Sequence, residues 1–144
     1  MSRVRRYLTG SPAETLKLGR RIARMLRSDD ILFLSGDLGS GKTTFTRGVC
    51  QGLGIKEPVT SPSFIIVTEY TGKFKVSHID LYRLDKADCD ILPLEEYYAQ
   101  GGITIIEWAD RIPNFERRLT PGFYISFRII RSNQREITIE DLRN

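Results

Sequence analysis

Apolar and polar positions along this chain recur with two rhythms, one near 3.6 residues and one of two, and the switches between them mark out its elements. Residues 3–9 read as a short strand. Ser11-Pro12-Ala13-Glu14 then combines an N-cap serine, a proline at the first helical position and a glutamate that completes a capping box, so a helix begins there. Leu16, Gly19, Ile22, Ala23 and Leu26 follow at helical spacing while Lys17, Arg20, Arg21, Arg24 and Arg27 face mostly elsewhere. The pattern predicts a helix that packs one face on a core and ends near Ser28.

Ile31-Leu32-Phe33-Leu34 is a continuous apolar run, the mark of a strand buried on both faces, and it leads straight into Gly36. A second helix is expected from Lys42 through residues 43–53, with Gly54 as its left-handed stop. Residues 63–70 and 74–81 are β-rich around the turn Thr71-Gly72-Lys73, which predicts a hairpin. Residues 85–93 read as a loop, and residues 94–100 as a short helix closed by Gly101-Gly102. Ile103-Thr104-Ile105-Ile106 is again an apolar strand, ending in Glu107, with a turn of helix after Trp108. Residues 123–130 and 136–139 alternate around Ser132-Asn133-Gln134, which predicts an antiparallel hairpin at a sheet edge.

With 144 residues and no repeat, linker or low-complexity tract, the chain is expected to form a single domain over residues 1–144. Hydrophobic residues at 40% and charged residues at 28% are ordinary globular values. No apolar run is long enough to span a bilayer and no apolar stretch follows the basic start, so the expectation is a cytoplasmic protein without membrane contact. Cys50 and Cys89 lie far apart and His78 is the only histidine, which leaves a zinc site without ligands. The net charge of +4 is mild, and apart from Arg3/Arg5/Arg6, Arg20/Arg21 and Arg117/Arg118 the basic residues are scattered. Such a surface is ordinarily just solvated.

The chemistry concentrates at Gly36-Asp37-Leu38-Gly39-Ser40-Gly41-Lys42-Thr43, which matches G-x-x-x-x-G-K-[ST] between a buried strand and a helix. The glycines let successive N–H groups point inward at phosphate oxygens, and the helix that follows adds its positive end. Lys42 supplies a mobile cation to the β and γ phosphates, and Thr43 a hydroxyl to Mg²⁺. Thr44 follows in the first helical turn. The expected ligand is ATP or ADP with Mg²⁺, since no N-K-x-D segment of the kind that reads guanine is present. The expected fold is α/β: a P-loop NTPase-like mixed sheet with a parallel core, antiparallel edge strands and flanking helices.

Phosphoryl transfer needs a further acid near the metal, held at the carboxyl end of a neighbouring strand. Asp80 and Glu107 are the candidates, and Glu107 ends the more apolar and hence more central strand. Either could bind Mg²⁺, hold one of its waters or orient the attacking water; either could instead cap a turn or pair with Arg83 or Arg111. His78 shares a strand face with Asp80, where a catalytic and a structural role are equally open. Trp108, beside Glu107, is either a core residue or a fluorescent reporter of the site. No G-x-S-x-G elbow or second histidine supports a serine-type hydrolase.

Taken together, the phosphate loop continued through Thr44-Phe45, the run Ser61-Pro62-Ser63-Phe64, the H-x-D-L-Y-R run from His78 to Arg83, and Ile106-Glu107-Trp108 resemble, in order and spacing, the TsaE (YjeE) family. The likeness covers most of the chain from the first helix to Trp108, with a weaker echo in the last hairpin. It implies a cytoplasmic ATPase, slow alone and stimulated by partners, that works with TsaB and TsaD in placing threonylcarbamoyl on a tRNA adenosine and meets the tRNA only indirectly. On this resemblance Thr43 and Glu107 meet Mg²⁺, Asp80 is an acid needed for hydrolysis, and residues 61–64 form a switch. Arg135 matches an arginine that stacks on adenine.

Two positions depart from the family pattern. Ser63 stands in place of a threonine, which removes a methyl group and some stiffness. Leu92-Pro93 replaces Leu-Gly, fixing a backbone angle that glycine leaves free. The competing readings are a small-molecule kinase using the same phosphate loop, which needs an acceptor pocket and lid, and a basic RNA-binding module, which needs steeply salt-dependent binding.

Overall fold

Leu32 and Leu34 turn to one side of a sheet and Ile31 and Phe33 to the other, and both sides are covered, which is why the run carries no polar residue. This is the central strand of a computed structural model that describes residues 3–59, 67–112 and 122–143. The elements run β1 (Arg3–Thr9), α1 (Pro12–Ala23), β2 (Ile31–Gly36), α2 (Lys42–Gly52), β3 (Val67–Thr71), β4 (Lys75–Asp80), α3 (Lys86–Ile91), β5 (Ile103–Glu107), β6 (Phe123–Ile129) and β7 (Arg135–Asp141). The strands form one seven-stranded sheet in the order β1-β7-β6-β2-β5-β4-β3. Its middle, β6-β2-β5-β4, is parallel. At the margins β3 joins β4, and β7 and β1 extend β6, all antiparallel.

The mixed α/β sheet with a parallel centre and antiparallel margins is therefore present. The last hairpin is not at an edge, however: β1 returns to pair with β7 along its whole length, from Arg3 opposite Asp141 to Thr9 opposite Arg135. A strand separated from its partner by most of the chain leaves no local pattern to show it.

Helices α1 and α2 cover one face, where Leu18, Ile22, Phe45, Val49 and Leu53 pack on Leu32, Leu34, Ile105 and Ile125. Gly48 is the point of closest approach. A methyl group there would lie 2.1 Å from the Leu16 carbonyl oxygen, so the helices meet backbone to backbone and only glycine fits. Ser11 caps α1 as expected, its hydroxyl accepting from the Glu14 N–H at 3.2 Å. Glu14 reaches one residue further back than a capping box requires and takes the Gly10 N–H at 2.7 Å. The helix stops at Ala23 rather than near Ser28; Met25 and Leu26 continue as tightened turns bonded to Ile22 and Ala23. Its core face also differs, with Thr15 and Leu18 buried and Leu16 only half-buried.

The other face is thinner. Ile79, Leu81 and Ile106 pack there against Cys89 of α3, Leu94 and Ile112. The expected loop over residues 85–93 holds α3, capped by Asp85 and Asp88 in a reciprocal box with bonds of 2.8 and 3.3 Å. Leu92 ends it in extended conformation, as the residue before a proline must be. The short helix expected over residues 94–100 is a single 3₁₀ stretch, Leu94–Tyr97. Two of the sequence readings, the switch at Ser61-Pro62-Ser63-Phe64 and the basic pair Arg117/Arg118, lie outside the described residues.

Candidate functional site

Parallel strands end together, and here the carboxyl ends of β2, β5 and β4 bring three sequence-distant segments to one rim of the sheet. Register fixes which residues meet: Leu34 and Asp80 both lie opposite Glu107. The loop between β2 and α2 curls over that rim. Gly41, the N-cap of α2, has φ 105°, which a side chain would oppose, and no side chain caps the helix. The first N–H groups of an 11-residue helix are thus left to whatever the loop encloses.

Lys42 is 5% exposed. Its ammonium donates to the carbonyls of Gly36 at 2.5 Å and Asp37 at 2.9 Å and to the Ser40 hydroxyl at 3.3 Å. The Trp108 ring lies beneath it, 4.2 Å away. Burial holds Lys42 below the ordinary lysine pKa, against the opposing pull of Glu107, Asp110, Asp80 and Asp37. The loop is thereby closed on its own lysine.

Glu107 is 2% exposed at the end of β5. The Thr43 hydroxyl donates to its Oε1 at 3.3 Å, and the imidazole Nε2 of His78 sits 2.5 Å from its Oε2. Asp80 is less buried, and its Oδ1 accepts from the Tyr82 N–H at 2.9 Å. The turn-capping alternative for Asp80 is therefore realised, although the residue also lines the cleft. Arg111, the other arginine considered as a partner for these acids, donates instead to the carbonyls of Tyr82 and Leu84 and stacks near Trp108. Trp108 itself is half-buried in left-handed conformation at φ 62°, a strain of about 1–3 kcal/mol for a bulky residue. Such a conformation persists only where its surroundings hold it, as Lys42, Arg111 and Tyr82 do here.

These groups line a cleft of about 360 Å³ that contains Lys42, Thr43, Asp80, Glu107 and Trp108, together with Tyr82 and Arg83. A second hollow of about 190 Å³ lies on the far side of Gly39, Gly41 and Thr44, bounded by Ser11, Thr15 and Arg135. Arg135 opens β7, and its guanidinium bridges the hairpin turn to the phosphate loop through the carbonyls of Arg131 at 2.9 Å and Gly39 at 3.1 Å. Of the residues singled out from sequence, the structure brings Gly39, Gly41, Lys42, Thr43, Thr44, Asp80 and Glu107 to one cleft. Leu38 lies on its lip, 71% exposed, while Gly36, Asp37 and Ser40 serve it through Lys42. Arg135 borders only the second hollow. What sequence reasoning missed is the pairing of His78 with Glu107 rather than with its strand neighbour Asp80, and the place beside the second hollow of Ser11, read only as a helix cap, and of Thr15, not singled out at all.

Burial raises the Asp80 pKa above its ordinary value of 3.8; the Tyr82 N–H opposes that shift and the Glu107 charge adds to it. The folded state therefore holds the Asp80 proton more tightly than the unfolded chain does. That preference stabilises the fold fully below the unfolded value and is lost as pH rises through the higher folded one. Asp80→Asn, which keeps the acceptor for Tyr82, is expected to melt above the wild type at neutral pH, by about 2–4 °C for each kcal/mol released. Thermal melts should show the advantage shrinking as pH falls toward 4; an Asn variant that melts lower at neutral pH would contradict the charge argument.

Among the described residues no group of three or more His, Cys, Asp or Glu side chains stands ready to hold a metal alone. One carboxylate beside one hydroxyl instead suits an ion that keeps its water and leans on phosphate oxygens, as Mg²⁺ does. No helix among the described residues is long and apolar enough to cross a membrane.

Known proteins match this chain over most of its length. The family model described as "Threonylcarbamoyl adenosine biosynthesis protein TsaE" matches residues 9–138. The tRNA threonylcarbamoyladenosine biosynthesis protein TsaE of Bacillus subtilis (strain 168) is 37% identical over 140 residues, covering 96% of this chain and 87% of that protein. The protein of the same name from Treponema pallidum (strain Nichols) is 35% identical over 136 residues, covering 93% and 98%. A crystal structure of Bacillus subtilis YdiB aligns with a TM-score of 0.80 at 34% identity, covering 99% of this chain and 88% of that one.

Proposed function

Because the chain belongs to the TsaE family, which acts in threonylcarbamoyladenosine biosynthesis, we propose that it is a Mg²⁺-dependent ATPase serving that modification of tRNA in the cytoplasm. One observation carries the reading: the hydroxyl of Thr43, next to the phosphate-loop lysine, lies 3.3 Å from a buried carboxylate at the end of the adjacent parallel strand. A strand-to-helix glycine turn without a ligand gives no reason to bury Glu107 there.

The loop from Gly36 to Thr43 and the open end of α2 would hold the phosphates, in the manner of P-loop NTPases. Lys42 would exchange its loop carbonyls for β and γ oxygens. Thr43 and Glu107, with Asp80 nearby, would hold Mg²⁺, which when bound neutralises charge developing on the transferred phosphoryl group. Asp80, with its pKa raised by burial, would orient or deprotonate the attacking water. The hollow beside Ser11, Thr15 and Arg135 would take the base, with the guanidinium plane fixed by its bonds to backbone carbonyls. Those bonds also give Arg135 a structural duty that its resemblance to a stacking arginine did not imply.

The site is open on the side of Leu38 and Tyr82, which are 71% and 43% exposed. No described element closes over it to exclude water, so turnover by the chain alone should be slow. The partners proposed to complete it are TsaB and TsaD, with tRNA met only through them. Phosphate release measured with the chain alone and then with both partners should rise by at least about 100-fold, the lower end of what one well-placed group supplies in catalysis. Equal rates in both would sink the partner-controlled reading while leaving nucleotide binding untouched.

A further inference from the structure

His78 sits wholly inside the protein, at 0% exposure, on a strand face with Val76, Ile103 and Ile105, opposite Thr68 and near the Tyr70 ring. An imidazole in such surroundings costs stability unless it is hydrogen-bonded. It is bonded at one end only. Nε2 lies 2.5 Å from Glu107 Oε2, whereas Nδ1 has no partner among the described residues. An apolar side chain would fill this place without stranding a ring nitrogen, so packing alone does not account for the histidine.

What the ring does is restrain a carboxylate. An ionised carboxylate only accepts, which assigns the shared proton to Nε2. Gripped at Oε2 from the interior, Glu107 turns Oε1 toward the Thr43 hydroxyl at 3.3 Å, at the wall of the cleft. Without that grip the carboxylate is free to rotate about its last torsion, which is broad for glutamate.

We infer that His78 is a positioning residue for Glu107, donating from Nε2 to fix which carboxylate oxygen faces Thr43 and so setting how strongly Mg²⁺ tightens nucleotide binding. This rests on the Mg²⁺-nucleotide reading of the site. Hydrogen-bond partners of metal-holding carboxylates are typically worth 10–100-fold in metal affinity.

The test is calorimetric titration of ADP into the full chain, in EDTA and in saturating Mg²⁺. His78→Leu is expected to bind ADP in EDTA as the wild type does, but to lose about 10–100-fold of the gain that Mg²⁺ confers. His78→Gln, whose amide N–H reaches as far as Nε2, should recover most of that gain. Should the leucine variant fail to melt cooperatively, His78→Asn, polar but too short to reach Oε2, takes its place with the same expectation. A donor-less variant that keeps the full Mg²⁺ gain overturns the inference. A wild type that binds ADP with no Mg²⁺ gain also overturns it, leaving the phosphate loop intact. A wild type that binds no ADP at all removes the nucleotide site itself.

Discussion

Lys42→Ala is expected to bind ATP about 100-fold more weakly than the wild type and to keep its fold. The magnitude follows from the bonds exchanged: the ammonium would make charge-assisted contacts to two phosphates, each worth about 1.5–3 kcal/mol, and about 1.4 kcal/mol is tenfold in affinity. Part of that energy is already committed in the free protein. Before ATP arrives the ammonium bonds to Gly36 and Asp37 carbonyls and lies over Trp108, so these contacts must be given up on binding. The net loss in the variant is therefore nearer the sum of the weaker bonds than of the stronger ones.

The fold should survive because the Lys42 ammonium makes its hydrogen bonds within its own loop, and Trp108, over which it lies, keeps Arg111 and Tyr82 beside it. Calorimetric titration with ATP gives the affinity, and circular dichroism gives the fold. Unchanged affinity would undermine the phosphate-loop reading at its root. Lys42→Arg is a useful companion, because a planar guanidinium keeps the charge but cannot turn three donors around one point.

Where the sequence spoke clearly, one residue had one physical task. Gly36 to Gly41 had to turn the backbone through positive φ at Gly36, Gly39 and Gly41, Ile31 to Leu34 had to be buried on both faces, and Gly54 had to stop a helix in left-handed conformation; all are written in residue type alone. Glu107 could be ranked above Asp80 as the end of a central strand for the same reason, and it lies in β5 between β2 and β4.

Legibility failed where a residue's neighbour was set by topology. His78 and Asp80 are two apart in sequence and share a strand face, yet the partner of His78 is Glu107, brought beside it by parallel pairing of β4 with β5. Gly48, by type a residue that weakens a helix, is the contact that lets α1 lie on α2. Helix α3 was hidden because its six residues, Lys86-Ala87-Asp88-Cys89-Asp90-Ile91, show too little apolar periodicity, and its two aspartate caps carry the signal instead. β1 resembled an isolated basic strand until β7 gave it a partner.

Glu107→Gln should separate binding from turnover more sharply than any other change at this site. Glutamine has the same shape, so one amide oxygen can still accept from His78 Nε2 and hold the side chain in place. The fold and the affinity for ADP in EDTA should be close to wild type. What disappears is the negative charge beside Thr43 at the cleft wall and, on the proposed Mg²⁺ reading, the hold on a divalent cation. ATP turnover in the presence of TsaB and TsaD is expected to fall by at least about 100-fold, the lower end of what a positioned acid–base or charge-stabilising group contributes. Glu107→Ala is the less informative variant. It leaves the buried Nε2–H of His78 without an acceptor, at a cost of about 1–3 kcal/mol in stability, so lost activity would be mixed with lost fold. Phosphate release and thermal melts on the pair distinguish the causes: the charge account requires glutamine to lose turnover while melting near the wild type and alanine to lose both. A glutamine variant that hydrolyses ATP at the wild-type rate would remove Glu107 from the chemistry and leave Asp80 as the acid to pursue.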